Sequence, residues 1–312
     1  MKMLISGGTG MIGHALSTLW LAEGHEVIII TRSLSAPKRI FPNQQPQYIS
    51  WTQLKQSPDS CLDVDVVVNL AGETINQRWS SSAKTRILST RLLPARALRD
   101  WARSLDRTLP LYLSASGISV YGPSHTGVFD ETSPAAGEDF LSDIVRQWEA
   151  EADQVPAERN VKLRIAPVLM SNGGAFPSML LPFKLFFGGP IGNGKQPFSW
   201  IHIQDLVRLI DFIVKDTTIN GIVNASAPET VSNKQFGHVI AKVYQRPYWF
   251  PVPAFMLKLI FGEMSTMLLD GQRVYPAKAL EHGFTFQYGT AERAIKALRA
   301  ESSSIKKEVT TV

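Results

Sequence analysis

Apolar positions along this chain fall into short runs of strand length separated by stretches of helical spacing. Met3-Leu4-Ile5 is a short buried-type run, and Met11, Ile12, Ala15, Leu16, Leu19 and Trp20 then recur with helical period. Further strands are predicted at His25–Arg32, Tyr48–Trp51, Asp65–Leu70, Leu111–Gly117, Val161–Leu169 and Gly221–Ser226. Helices are predicted over Ser81–Leu105, with Pro94 as a kink inside it, then Phe140–Glu149, Met179–Phe187 and Leu206–Val214. Three more follow at Ser232–Gln245, Ala254–Phe261 and Thr290–Ala300. Gly24 reads as the C-terminal cap of the first helix, and Asp205 and Ser232 read as N-caps of later ones. Residues 35–62, holding Pro37, Pro42, Pro46 and Pro58, read as a surface excursion around the short strand, and Ser302–Val312 reads as a disordered tail. This alternation predicts an α/β fold, a doubly wound parallel sheet with a smaller mixed lobe towards the C-terminus.

The first connection carries the strongest chemical signal. Gly8, Gly10 and Gly13 form G-x-G-x-x-G between the first strand and the first helix, and Gly7, Gly10 and Gly13 give the wider G-x-x-G-x-x-G spacing. Glycine accepts positive φ and lets a ligand approach the backbone. The free N–H groups and dipole of the helix that follows favour a pyrophosphate. Strand before and helix after make this a dinucleotide site. The second strand ends in Thr31-Arg32-Ser33, with no carboxylate to accept a ribose 2′-hydroxyl. Arg32 suits a 2′-phosphate instead, so NADP is expected over NAD. Leu70-Ala71-Gly72 closes another strand with small residues that admit a cofactor closely.

Composition narrows the classes without changing this picture. The 312 residues are 44% hydrophobic and 19% charged, enough for one large α/β unit or two unequal lobes. The net charge of +5 is dispersed, with no run of five like charges, so a nucleic-acid partner is not expected. Cys61 is the single cysteine, which excludes an intrachain disulfide and fits a reducing, cytoplasmic setting. The strand at residue 2 leaves no room for a signal peptide, and no run of eighteen apolar residues occurs, so no membrane is expected. No His/Cys/carboxylate cluster has metal-ligand spacing, so no metal is expected. His202 alternates with Ile201 and Ile203 and reads as structural more readily than as a base. Arg86 and Arg91 lie about 140° apart round their helix and need not share a target. Tyr248, Trp249, Phe250, Phe255, Phe261 and Met256 form an aromatic and Met-rich patch, read as the core of the small lobe more readily than as a ligand wall. Leu257–Leu269 reads equally as an oligomer face, which leaves a homodimer open.

Ser114-Ala115-Ser116 with Val120-Tyr121-Gly122 is the second informative stretch, since a serine at a strand end can hydrogen-bond a substrate carbonyl or hydroxyl. Together with the glycine loop and Asn69-Leu70-Ala71-Gly72, it resembles the extended short-chain dehydrogenase/reductases. Trp148-Glu149, Gly188–Gly194, Ser199–Leu206 and Leu269–Val274 sharpen the resemblance to the atypical "epimerase family protein" subgroup, over roughly residues 1–300. That resemblance implies a Rossmann domain over 1–170 with 196–227 returning to it, a substrate lobe over 171–195 and 228–300, and a tail over 301–312. It implies NADP held by Gly7, Gly8, Thr9, Gly10, Met11, Ile12 and Gly13, with Thr31 and Arg32 on the adenosine side. Contacts from Leu70, Ala71, Gly72, Ser114 and Val168, and from Arg86 or Arg91, complete the set.

One departure bears on activity. Ordinary members of the superfamily place tyrosine and lysine four apart on one helix, where the lysine lowers the tyrosine pKa. None of the seven tyrosines here has lysine four residues on, and Val145 and Glu149 stand at those positions. Three functions therefore stay open. One is an oxidoreductase or epimerase using Tyr121, Ser116 and Glu149 on a small carbonyl or hydroxyl substrate. The second is an NADP(H)-binding sensor or scaffold, and the third a nucleotide-sugar epimerase.

Overall fold

The computed structural model describes all residues except 35–40, 42–44, 58–60, 62 and 311–312, and only the backbone of 304–310. Seven strands form the central sheet: β1 (Lys2–Ser6), β2 (Glu26–Thr31), β3 (Gln47–Ser50), β4 (Val66–Asn69), β5 (Leu109–Gly117), β6 (Ala157–Ile165) and β7 (Gly221–Ala225). Their order is β7-β6-β5-β4-β1-β2-β3, and every pair is parallel. The chain winds outward from β1 to β3, then returns to β1's other side and winds outward again to β7. The winding therefore reverses between β1 and β4.

Period-two alternation sorts the strand residues onto two buried faces. Met3, Ile5, Val27, Ile29, Val66 and Val68 face one core, with Leu16 and Trp20 of α1 (Met11–Ala22). Leu4, Ile28, Ile30, Val67 and Tyr112 face the other. Against that second face pack Leu98 and Trp101 of α3 (Ser81–Arg103), while α2 (Trp51–Gln56) adds Leu54 and α4 (Phe140–Ala152) adds Ala152. Gly24, at φ +80°, ends α1 as expected. The amide of His25 bonds the carbonyl of Trp20 and that of Gly24 bonds Leu21.

A third core joins α5 (Phe176–Lys184), α7 (Asn233–Tyr244) and α11 (Ala291–Thr310) around Phe176, Phe183, Trp200, Phe236, Ile240 and Leu298. Helix α6 (Ile203–Lys215) covers the first face of the sheet through Leu206, Leu209 and Ile213. Shorter helices α8 (Ala254–Phe261), α9 (Thr266–Leu269) and α10 (Ala277–Glu281) fill out the C-terminal part. Its strand Arg273–Val274 pairs in parallel with Val128–Phe129, which ties the two halves of the chain together.

Several boundaries differ from those predicted. Trp51 opens α2 because Ser50 and Gln53 form a reciprocal capping box there. The strand expected over 161–169 breaks at Ala166-Pro167 into β6 and a separate Val168–Met170, since proline has no N–H for the ladder. Helix α5 begins three residues early, with Pro177 in its first turn. His202, not Asp205, caps α6: its Nδ1 accepts the Gln204 N–H at 3.3 Å. Asp205 instead accepts the amides of Gln287 and Tyr288 at 2.9 and 2.8 Å. The tail expected to be disordered extends α11 to Thr310, because adding a turn to a formed helix needs no apolar stripe. Pro37, Pro42 and Pro58 of the expected surface excursion lie outside the described residues.

Candidate functional site

The reversal between β1 and β4 leaves a crevice at the carboxyl ends of the strands, where open α/β sheets bind ligands. Ser6 and Asn69 end the two strands and are register partners. Ser6 Oγ donates to Asn69 Oδ1 at 2.6 Å, the Leu70 amide donates to Ser6 O at 3.0 Å, and the Ala71 amide reaches Asn69 Oδ1 at 3.3 Å. Gly7 stands at φ +75°, and a Cβ there would lie 2.7 Å from the Leu70 carbonyl group. A Cβ on Gly13 would lie 2.3 Å from Gly7 O, and one on Gly8 would meet the Ile29 side chain at 2.8 Å. The glycines thus set the turn and the close seating of α1. Gly10 is the N-cap of α1, exposed like Thr9; no side chain caps it, and no acidic residue stands in the first turn. The amino end of α1 therefore presents free N–H groups and a positive dipole. Met11 and Ile12 follow half-buried, and Met11 packs against the hairpin turn at Gly173-Gly174.

The other expected cofactor contacts gather on the same edge, in two conditions. Arg32 is exposed, with no ion pair among the described residues, beside buried Thr31, whose Oγ1 accepts the Ser33 amide at 3.2 Å. Leu70 and Ala71 are half-buried and Gly72 exposed. Arg86 and Arg91 are both engaged by Glu73. Arg86 approaches its carboxylate at 3.5 Å, and Arg91 donates to its carbonyl at 2.9 Å. Burial draws the Arg91 guanidinium down to about 10, with the Glu73 charge opposing. Both arginines thus hold the 71–77 loop. Ser114 is buried level with Asn69, its hydroxyl bonded to the Ala115 carbonyl at 3.1 Å. Val168 is buried on the strand after the Pro167 break.

The β5–β7 side of the edge carries a row of polar side chains. Ser116, Arg164 and Asn224 are register partners across β5, β6 and β7, so they share one face of the sheet. Ser116 Oγ donates to Glu149 Oε1 at 2.6 Å. Arg164 pairs with both Glu149 oxygens at 2.9 Å and lies under the Tyr121 ring, 4.8 Å from its centroid. Burial pulls the Arg164 guanidinium down, but its hydrogen bonds and charge pairing with Glu149 outweigh that and leave it raised. Tyr121 is 3% exposed and donates to Asn224 Oδ1 at 2.8 Å. Burial leads in raising its hydroxyl above the ordinary value, against the pull of Arg164 and Asn224. Val145 sits in the adjoining apolar cluster, against Gly117. Tyr121 and Ser116, the expected candidate acids, thus donate their protons to Asn224 and to Glu149, and Glu149, the expected helper, also pairs with Arg164.

His202 is fully buried with its ring against Tyr288, and burial draws it down to about 4, so it is a neutral structural group. Asn224 and Ser226 bond the Tyr275 and Val274 carbonyls, holding the 273–275 strand in place. A hollow of about 420 Å³ between α7 and α11 and one of about 250 Å³ beside Gln196 lie away from the glycine loop.

Comparison with known proteins agrees with this geometry. Residues 3–139 match the NAD dependent epimerase/dehydratase family, and residues 252–298 match a domain of unknown function, DUF1731. The epimerase family protein YfhF of Bacillus subtilis is 36% identical over 308 residues, covering 98% of this chain and 100% of that protein. The chain belongs to the epimerase family proteins. A crystal structure of the human epimerase family protein SDR39U1 with NADPH is 34% identical. It superposes with a TM-score of 0.86 over 96% of this chain and 99% of that one. A nucleoside-diphosphate sugar epimerase from Corynebacterium glutamicum is 27% identical with a TM-score of 0.75, over 98% of this chain and 61% of that one.

Arg164 is the residue of this epimerase family protein that sequence reasoning missed. Its signal was present: a cation between Leu163 and Ile165 in an interior strand requires a buried partner. Asn69 stands out in the sequence only as part of the Asn69-Leu70-Ala71-Gly72 motif. Its role in tying β1 to β4 depends on a register that spacing alone does not give.

Proposed function

We propose that this epimerase family protein binds NADPH in preference to NADH along the carboxyl edge of the sheet. There it meets a small substrate bearing a carbonyl or hydroxyl group. The uncapped amino end of α1, seated close against a turn where Gly7, Gly8 and Gly13 leave no room for a Cβ, carries this reading. It is supported by Arg32, exposed without an acidic partner among the described residues, and by the NADPH held by the similar SDR39U1. NADPH supplies a hydride when bound. The α1 amides would hold its pyrophosphate, Arg32 its 2′-phosphate, and Leu70 and Ala71 would border the nicotinamide side. Ser116 is the group proposed to touch substrate. Because its proton goes to a carboxylate that only accepts, its own lone pairs are left to receive a hydrogen bond from a substrate hydroxyl. Glu149 and Tyr121 act through Arg164 and Ser116 as positioning residues.

A second reading, an NADP(H) sensor without turnover, is favoured by the same engagement of Glu149 and Tyr121. Calorimetric titration of NADPH and NADH into the full chain tests the shared premise. Arg32→Ala is expected to weaken NADPH by about tenfold or more and leave NADH within about twofold. Tighter binding of NADH by the unaltered protein overturns the coenzyme assignment. NADPH oxidation across a panel of small carbonyl compounds separates the two readings, background rates with tight binding favouring the sensor.

A further inference from the structure

Large apolar side chains stand exposed on one part of the C-terminal lobe. Phe186 and Phe187 follow the end of α5, and Trp249 and Phe250 lie against them. Trp249 Nε1 donates to Phe186 O at 3.0 Å, and the amides of Trp249 and Phe250 both donate to Gly188 O. Gly189 permits this approach, since a Cβ there would lie 1.9 Å from Phe250 O. Phe186 keeps a φ of +66°, unusual for a bulky residue. The chain then runs from Phe250 into α8, held by hydrogen bonds between residues 190–192 and Val252. Leu257 is the buried residue of α8, while Phe255 is 70% and Leu259 80% exposed, with Met256 and Ile260 beside them. At Phe186, Phe187, Trp249 and Phe250 the exposed side chains touch one another, unlike the singly scattered apolar residues of an ordinary soluble face.

Charge is distributed to match. Residues 171–204 and 230–262, the two stretches that build this surface, hold six of the 32 Lys and Arg and none of the 27 Asp and Glu. The remainder of the chain has 26 cationic residues against 27 acidic ones, so the whole positive excess lies here. Lys184, Arg246 and Lys258 are exposed among the apolar side chains, without an acidic partner among the described residues. Arg246 lies over the Phe186 ring at 4.8 Å.

We propose that this face docks the protein onto an anionic lipid surface. Protruding Trp, Phe and Leu flanked by Lys and Arg is the composition of an interfacial element: the apolar tips enter the acyl boundary and the cations meet headgroup phosphates. A second copy of this face would bring one positive excess against another, with Asp270, which lines the same hollow as Lys258, as the nearby acid. A nucleic acid would leave Phe255 and Leu259 in water. No helix among the described residues is long and apolar enough to cross a membrane, so the protein lies on the bilayer. The expectation of no membrane partner rested on the missing spanning segment, which is silent about docking of this kind. The proposal does not depend on the coenzyme reading.

Flotation of the full chain with phosphatidylcholine vesicles, with and without about one third phosphatidylglycerol, tests it at near-physiological salt. The protein is expected to float with anionic vesicles and at least about tenfold less with neutral ones. Leu259→Asp is expected to cut anionic-vesicle binding at least about tenfold, and Lys184→Gln by about fivefold, with melting temperature and NADPH affinity unchanged. Trp249 emission should shift to the blue on binding, and Trp249→Phe should remove the shift. Protein that stays unbound with both vesicle types overturns the proposal. So does a stable dimer in sedimentation that Leu259→Asp dissociates, which assigns the face to a second copy.

Discussion

Two halves of one sheet edge have been built in opposite ways. Around β1, β2 and β4 the chain presents backbone. Glycines remove side chains, the end of α1 is uncapped, and Arg32 points to solvent. Around β5, β6 and β7 it presents side chains that bond chiefly to one another, from Ser116 through Glu149 and Arg164 to Tyr121 and Asn224, with Arg164 Nη1 buried and without a hydrogen-bond partner. An open donor set waits for a ligand; a closed network holds its members still. The difference teaches that a shared fold edge need not carry shared readiness for a ligand, and that the glycine-rich half and the polar half answer to separate constraints.

The largest effect that could break this contrast lies in the closed half. Arg164→Ala leaves the Glu149 carboxylate buried without its partner, and is expected to cost about 3–5 kcal/mol of stability in chemical denaturation. NADPH affinity of the folded fraction should stay within about twofold; a loss of binding would show that the two halves are coupled. His202→Asn tests a second engaged polar group. The native histidine titrates near 4 and the unfolded one near its ordinary 6.5, so the unfolded state binds more protons between those values. Stability is therefore lost as pH falls through that window, by up to about 3 kcal/mol, and the variant, which keeps an N-cap, should lose the slope. An unchanged slope in melting curves would assign the acid sensitivity elsewhere. In the open half, Gly13→Ala places a Cβ 2.3 Å from Gly7 O. NADPH affinity is expected to fall about a hundredfold with a smaller loss of stability, near 1–3 kcal/mol.

The open half was legible because its chemistry is local. G-x-G-x-x-G, the missing carboxylate after β2 and the small residues after β4 are each contiguous in sequence, and the strand–helix alternation around them gives the sheet. The closed half is non-local. Ser116, Glu149, Arg164 and Asn224 come from four elements, and their meeting depends on the β5–β6–β7 register. Tyr121 looked free as a residue after a strand exit, and only the structure shows Asn224 opposite its hydroxyl. The same limit separated Arg86 and Arg91 by angle on α3 while the loop before the helix brings Glu73 to both. Of the aromatic patch read as lobe core, Tyr248 and Phe261 pack on buried clusters while Trp249, Phe250, Phe255 and Met256 are exposed, because helical periodicity shows which residues are apolar, not whether anything covers them. Leu257 of α8 is buried, and its neighbours Phe255 and Leu259 are not.

The smallest effect sharpens the contrast most. Tyr121→Phe removes one hydroxyl, and with it the 2.8 Å hydrogen bond to Asn224 Oδ1, while the ring keeps its stacking on Phe129 and its place over Arg164. The expected loss is about 1 kcal/mol, the ordinary net value of such a bond with its partner left unpaired. NADPH binding should not change, because Tyr121 lies in the closed half. Given a substrate that turns over, a positioning role predicts kcat within a few-fold of the original and an unaltered pH profile, since the network still holds Ser116 through Glu149. A proton donor would behave otherwise: kcat would fall by about a hundredfold or more, and the limb of the pH profile reporting its ionisation would disappear. That result would mean the network opens when substrate arrives, and that the apparent closure of this half is a resting arrangement.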